Sequence, residues 1–302
     1  MMIIELGRVS VQLLSNDPGV AAEWLSLFAS AVSPKPAAAV TLHLNVTSTP
    51  QAWQQIDAVH TILETEPIFE DDSAHLSVFV PENGRFLLTF HDGAVIRVDV
   101  QTAQIEGWLH DRLVGNGRLE DLTYTALAPI LRRYGFYLVH AFGAAKNGRC
   151  VLFVGPPHSG KTTAGLSLLQ QGWQMLGNDV ILLNAEAGSV MAWPTPGAVG
   201  IRPQTFRLLS MTDTTGRMKN GRLASPISIT DLVFPHVVDD QPSQLTPISA
   251  AEGLTRLLPA GMDRWDKAML PDHLALLRRL CEQTAVFTLQ SGCDIQQLHQ
   301  IL

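Results

Sequence analysis

Residues 150–183 read CVLFVGPPHSGKTTAGLSLLQQGWQMLGNDVILL, and the architecture turns on this stretch. The apolar run 150–154 has the composition of a strand. Gly155-Pro156-Pro157-His158-Ser159-Gly160-Lys161-Thr162 then matches the spacing G-x-x-x-x-G-K-[ST]. A loop of this kind wraps closely round a phosphate. Glycines stand where a side chain would collide, and successive backbone N–H groups point inward as an anion nest. Pro156 and Pro157 remove two amide donors but leave those of Ser159, Gly160, Lys161, Thr162 and Thr163. Lys161 is spaced to reach the β- and γ-phosphates, and the Thr162 hydroxyl to ligate Mg2+. A helix expected over 161–171 brings its positive end to the same point, and Gly172 ends it. An ordinary strand–turn–helix corner is the alternative. The complete motif in this setting favours a nucleotide cradle built from Gly155, His158, Ser159, Gly160, Lys161, Thr162 and Thr163, with ATP and Mg2+ as cofactors.

The acid that would face Mg2+ is less plainly marked. Asp179 lies 18 positions after Lys161, between two short apolar runs, where one helix and a return strand could bring it back to the loop mouth. Asn178-Asp179 is equally readable as a hairpin turn, since both residues favour turns. A competitor, DLVFPHVVDD at 231–240, is an apolar run ending in two acids. Pro235 in its middle argues against a central strand, which makes Asp239 and Asp240 a surface turn.

The 302-residue length is ample for two domains, and a 46% hydrophobic, 16% charged composition is that of a soluble globular protein. The net charge of −7 excludes a basic nucleic-acid footprint. Cys150, Cys281 and Cys293 have no metal-type spacing and make a poor disulfide set, which suits a reducing cytoplasm. The N-terminus shows no signal-peptide pattern, and no run reaches the roughly 20 apolar residues a membrane helix needs. No membrane association is expected.

The first third reads as α+β, rich in antiparallel strands. Residues 3–14 alternate as a strand, and Asp17-Pro18 caps a helix. Residues 39–47 alternate again. Asn83-Gly84 and Asp92-Gly93, each suited to a type I′ turn, divide 76–100 into a three-stranded meander. Residues 118–135 form a helix with acids first and Arg132 and Arg133 last. The glycines of VGNGR mark a seam near 117, giving an accessory domain over 1–117 and a nucleotide-binding domain over 118–302. Further on, Ser249 and Glu252 form a capping box, 271–283 an amphipathic helix, and the chain closes on a strand and a short helix.

Three other groups have residue types suited to chemistry. Glu70, Asp71 and Asp72 are consecutive, point in different directions and read as a solvated turn. Arg202 and Arg207 could stabilise transition-state charge or form salt bridges. Residues 212–226, with Arg217, Lys219 and Arg222, read either as a covering loop or as a solvated one.

From His140 to Leu183 the chain resembles the catalytic core of HPr kinase/phosphorylase. The likeness rests on the histidine in YLVHAFGA, the loop at 155–162 and GWQMLGNDVIL. It implies a phosphoenolpyruvate-carboxykinase-like P-loop kinase core in an α/β chain, with the smaller N-terminal α+β domain lying outside the resemblance. It also implies an ATP-dependent kinase acting on a hydroxyl, of serine or threonine in a peptide or protein, or of a small molecule. Lys161 would neutralise phosphate charge, Thr162 and Asp179 would hold Mg2+, and His140 would be an active-site histidine. His140 alone on an apolar strand would otherwise read as a core residue. HPr kinases themselves assemble, so a homo-oligomer is compatible. The departure is Asn178, where the family has the acid that activates the acceptor. An amide cannot accept a proton at neutral pH. The competing readings are a catalytically weak nucleotide-binding module of a biosynthetic gene cluster, and a transport or motor ATPase.

Overall fold

The computed structural model describes residues 2–34, 37–48, 62–67, 75–82, 84–211, 223–263 and 265–302. The fold is mixed α/β and divides into two compact units. One comprises residues 1–135 and 263–269, the other 136–262 and 270–302.

Among the described residues, the first unit is an eight-stranded sheet with two α-helices. In chain order it runs β1 (Met2–Leu6), β2 (Val9–Ser15), α1 (Pro18–Phe28), β3 (Val40–Thr47), β4 (Ile62–Pro67), β5 (His75–Glu82), β6 (Arg85–Phe90), β7 (Ala94–Asp99), β8 (Gln104–His110) and α2 (Arg118–Arg133). The sheet order is β1-β2-β3-β8-β7-β6-β5-β4. All neighbours are antiparallel except β2/β3 and β3/β8. The expected strand over 3–14 is therefore two strands, turned at Gly7 with φ +63°. Asp17 caps α1 as expected, its carboxylate accepting from the amides of Gly19 and Val20. The meander of β5, β6 and β7 is present. The turn at Asp92-Gly93 differs from expectation: three residues separate Phe90 from Ala94, and only Gly93 takes positive φ. Asn83 lies outside the described residues.

Helix α2 belongs to this unit, so the division falls after Gly135 and not at 117. The physical reason is packing. Trp24 of α1 donates to Thr123 of α2 at 2.9 Å, and the Phe28 and Tyr124 rings lie 5.8 Å apart. Gly117, at φ +85°, is the N-cap of α2 and not a linker. Arg132 and Arg133 pair with Asp263 and Asp266, and the Trp265 ring lies under Arg132, which explains why 263–269 joins this unit.

The second unit runs β9 (Phe136–Val139), β10 (Ala141–Lys146), β11 (Arg149–Val154), α3 (Lys161–Gln170), β12 (Gln174–Gly177), β13 (Ile181–Glu186), β14 (Ser189–Trp193), α4 (Pro203–Leu208), β15 (Ile227–Ser228), β16 (Asp231–Val237), β17 (Gln244–Pro247), α5 (Ala250–Gly261), α6 (Leu270–Gln283) and β18 (Ala285–Ser291). Its strands form two sheets, β12-β10-β11-β16-β18-β17 and β15-β14-β13-β9. Phe142, Val151, Phe153, Val233 and Leu289 of the larger sheet share a core with Ala164, Leu166, Leu168 and Leu169 of α3. The closing helix, Ile295–Gln300, is 3-10.

The expectation for 231–240 needs correction. β16 is a central strand, parallel to β11 on one side and β18 on the other, and Pro235 lies within it. Its pairing with β11 ends at Val233, so Pro235 lies where the β11 chain has already turned into the loop and its missing N–H breaks no ladder bond with β11. Asp239 and Asp240 are exposed in a bend beyond the strand, as expected.

Candidate functional site

The site forms where the chain changes sheets. It leaves β9 of the smaller sheet, passes through His140 and joins β10 of the larger one. It crosses back from β12 to β13 at Asn178-Asp179. β9 pairs with β13, Val139 opposite Ile181, and β10 pairs with β12, Gly143 opposite Gly177. The two crossings therefore lie side by side. Since β12 and β13 sit in different sheets, the hairpin reading of Asn178-Asp179 is excluded.

The crossing is tight. A Cβ on Gly177 would come 2.1 Å from the Thr195 hydroxyl and 2.9 Å from the Val180 carbonyl oxygen. That hydroxyl donates to the Val180 carbonyl. The Val180 amide donates to the Asn178 carbonyl at 2.8 Å across Asp179, whose φ is +63°. This is the γ-turn with positive φ at its centre, a rare and strained form. A non-glycine residue held there stores about 1–3 kcal/mol, and such outliers gather at functional sites.

Beside the crossings, β11 runs into the loop. Gly155 is buried, and a Cβ there would lie 2.8 Å from the Ser159 Oγ. Ser159 is buried, and its hydroxyl has no hydrogen-bond partner among the described residues. His158 and Gly160 take φ +61° and +99°, and Gly160 is the N-cap of α3. The Lys161 ammonium is buried and donates to the carbonyls of Gly155 at 2.8 Å and Pro156 at 3.0 Å. Helix α3 packs close on β10 because Gly165 has no side chain: a Cβ there would sit 2.1 Å from the Phe142 ring.

Thr162 Oγ1 donates to Asn178 Oδ1 at 3.4 Å. Asn178 Nδ2 donates to Asp179 Oδ2 at 2.6 Å and to the Ala198 carbonyl at 3.3 Å. Burial pushes the Asp179 carboxyl up, against the opposing pull of Lys161 and the Asn178 amide. The His140 amide donates to the Ala260 carbonyl of α5 at 2.8 Å. Burial, then the charge of Lys161, pushes the His140 imidazole down to about 4, against a hydrogen bond to the Asp179 backbone. His140 is thus neutral at neutral pH and Asp179 is the acid beside it. Lys161 stands within electrostatic reach of both.

At the β16 end nearest the loop the chain reads Pro235-His236-Val237, and a Cβ on Gly160 would lie 3.3 Å from Val237. The buried acid of β16, Asp231, is at the opposite end, paired with Arg149 at 2.7 Å. Within β16 the one carboxylate, Asp231, thus lies away from the loop, whereas Asp179 lies within electrostatic reach of Lys161.

Helix α4 covers the start of α3. Thr163 and Thr205 share a hydroxyl hydrogen bond of 2.9 Å. The N-cap of α4, Arg202, donates from Nη1 to the His158 ring, 3.0 Å from Nε2. Arg207 is exposed in the last turn of α4. Sequence reasoning missed Thr205 and the carbonyls of Ala198 and Ala260; main-chain acceptors carry no sequence signal. Glu70, Asp71 and Asp72 lie outside the described residues, as do 212–222 with Arg217, Lys219 and Arg222.

The donors present suit a Mg-nucleotide. Thr162 and Asp179 offer hard oxygens, and Mg2+ bound with phosphates needs only one or two protein ligands. Among the described residues no cluster of three or more His, Cys, Asp or Glu forms a metal site. Nor is any helix among them long and apolar enough to cross a membrane.

No family model matches the chain, and no curated protein matches it. Among solved structures, the chain is similar to the HPr(Ser) kinase/phosphatase from Coxiella burnetii. The identity is 18%, over 37% of this chain and 76% of that one, with a TM-score of 0.25. A likeness that slight carries no argument about activity.

Proposed function

We propose that the second unit is an HPr-kinase-like, phosphoenolpyruvate-carboxykinase-type P-loop core that transfers the γ-phosphoryl group of ATP to a hydroxyl. The acceptor is a serine or threonine of a peptide or protein, or a small-molecule alcohol. One observation carries the reading: the two sheet crossings set His140 and Asp179 beside the lysine of a complete phosphate loop. A strand–turn–helix corner without function has no need of a strained aspartate and a buried histidine at its mouth.

Each residue has its own share of the work. The amides of Ser159 to Thr163 and the Lys161 ammonium hold the phosphates, with Lys161 released from its own loop carbonyls. Mg2+, when bound, neutralises charge developing on the transferred group, and Thr162 and Asp179 would hold it. Asp179 and neutral His140 would orient an acceptor hydroxyl and receive its proton. Asn178 donates to Asp179 and accepts from Thr162, so it fixes the direction of both.

Asn178 also favours a second reading, a nucleotide-binding module with weak catalysis. Labelled ATP offered with serine and threonine peptides and simple alcohols separates the two. Phosphotransfer that Asp179→Asn reduces by about a hundredfold or more supports the kinase. Transfer that appears only in Asn178→Asp supports the detuned module. ATP hydrolysis at one steady rate whatever acceptor is added contradicts both.

A further inference from the structure

Arg202 is exposed, so its contact with His158 is not explained by packing. It is nevertheless held in place. Its helix is tied to the first turn of α3 by Thr163 and Thr205, and Gln170 of α3 donates to the Leu209 carbonyl at 2.9 Å. That mounting sets a guanidinium on the fourth position of the phosphate loop, whereas the carbonyls that hold Lys161 belong to its first two. His158 precedes the Gly160–Thr162 amides that cradle the inner phosphates, so a cation there meets the outer end of the phosphate chain. An imidazole offers a guanidinium one lone pair, whereas a phosphate takes two parallel N–H donors and carries opposite charge.

We propose that Arg202 is the arginine of the terminal phosphoryl group, resting on His158 and moving to the γ-phosphate when a triphosphate enters. This rests on the nucleotide reading above and adds to it a discriminator between ATP and ADP. Lys161 serves phosphates common to both nucleotides; Arg202 serves the one they do not share.

The test is titration of Mg·ATP and Mg·ADP into the wild type, Arg202→Ala, Arg202→Lys and Lys161→Ala. A charge-assisted bond lost from the γ-phosphate alone weakens ATP by about tenfold or more. ADP binding of Arg202→Ala stays within about threefold on the same grounds. Arg202→Lys recovers part of the ATP preference, because a point charge replaces a fork. The unfolding midpoint of the free protein is unchanged, since the side chain is exposed. Equal weakening of ATP and ADP by Arg202→Ala overturns the proposal, as does no change in either. If Lys161→Ala loses binding while Arg202→Ala keeps the wild-type ATP/ADP ratio, this assignment alone fails. No binding of either nucleotide by the wild type overturns the nucleotide reading and this assignment together.

Discussion

At the scale of single residues, His140 shows how position decides chemistry. Its pKa in place is about 4, against 6.5 for the free side chain, with burial the main cause and Lys161 the second. The folded-state value lies below the unfolded one. Stability is therefore intact above pH 6.5 and is lost as pH falls towards 4, because only the unfolded chain takes up the proton. The full loss is on the order of 3 kcal/mol. Asp179 acts in the opposite sense: its carboxyl is raised by burial, so protonation favours the folded form. A difference between two chains isolates the histidine. Wild type should lose stability between pH 6.5 and 4 more steeply than His140→Asn in chemical denaturation; parallel curves would show that the ring is not held as described. The loop residues were legible in sequence because G-x-x-x-x-G-K-[ST] encodes its own geometry. The nearness of His140 to Asp179 was legible only through the resemblance, because it depends on two strand pairings distant in sequence.

At the scale of elements, α3 shows two opposed effects whose sizes can be ranked. Alanine in place of Gly165 would gain about 1 kcal/mol of helix propensity. Its Cβ would meet the Phe142 ring at 2.1 Å, in a core where overpacking costs about 1–3 kcal/mol. The clash outweighs the gain because Phe142 is fully buried on β10 and cannot move away. Gly165→Ala should lower the unfolding midpoint by about 2–8 °C; a raised midpoint would show that the close approach is not there. Elements bounded by local signals were legible: Asp17 before α1, Ser249 before α5, Gly135 and Gly172 after helices. β16 was misjudged because the proline rule concerns hydrogen bonds, and Pro235 lies beyond the stretch where β11 is paired. The turn between β1 and β2 was missed because Gly7-Arg8 interrupts an alternation that otherwise continues.

At the scale of the whole molecule, the domain seam was the least legible feature. Glycines at 115 and 117 suggest a linker, but Gly117 is the N-cap of α2, and the tie that completes the first unit comes from residues 263–269. No local pattern announces that Asp263 and Asp266 will meet Arg132 and Arg133, more than a hundred residues earlier. The central claim belongs to this scale too, since it takes β9 to β13 together to build the proposed phosphate site. Calorimetric titration of Mg·ATP into the intact wild type and Lys161→Ala tests it most directly. The account predicts micromolar binding by the wild type, about −8 kcal/mol, and its loss in the variant. Absence of binding by a folded wild type, or equal binding by both proteins, would contradict it.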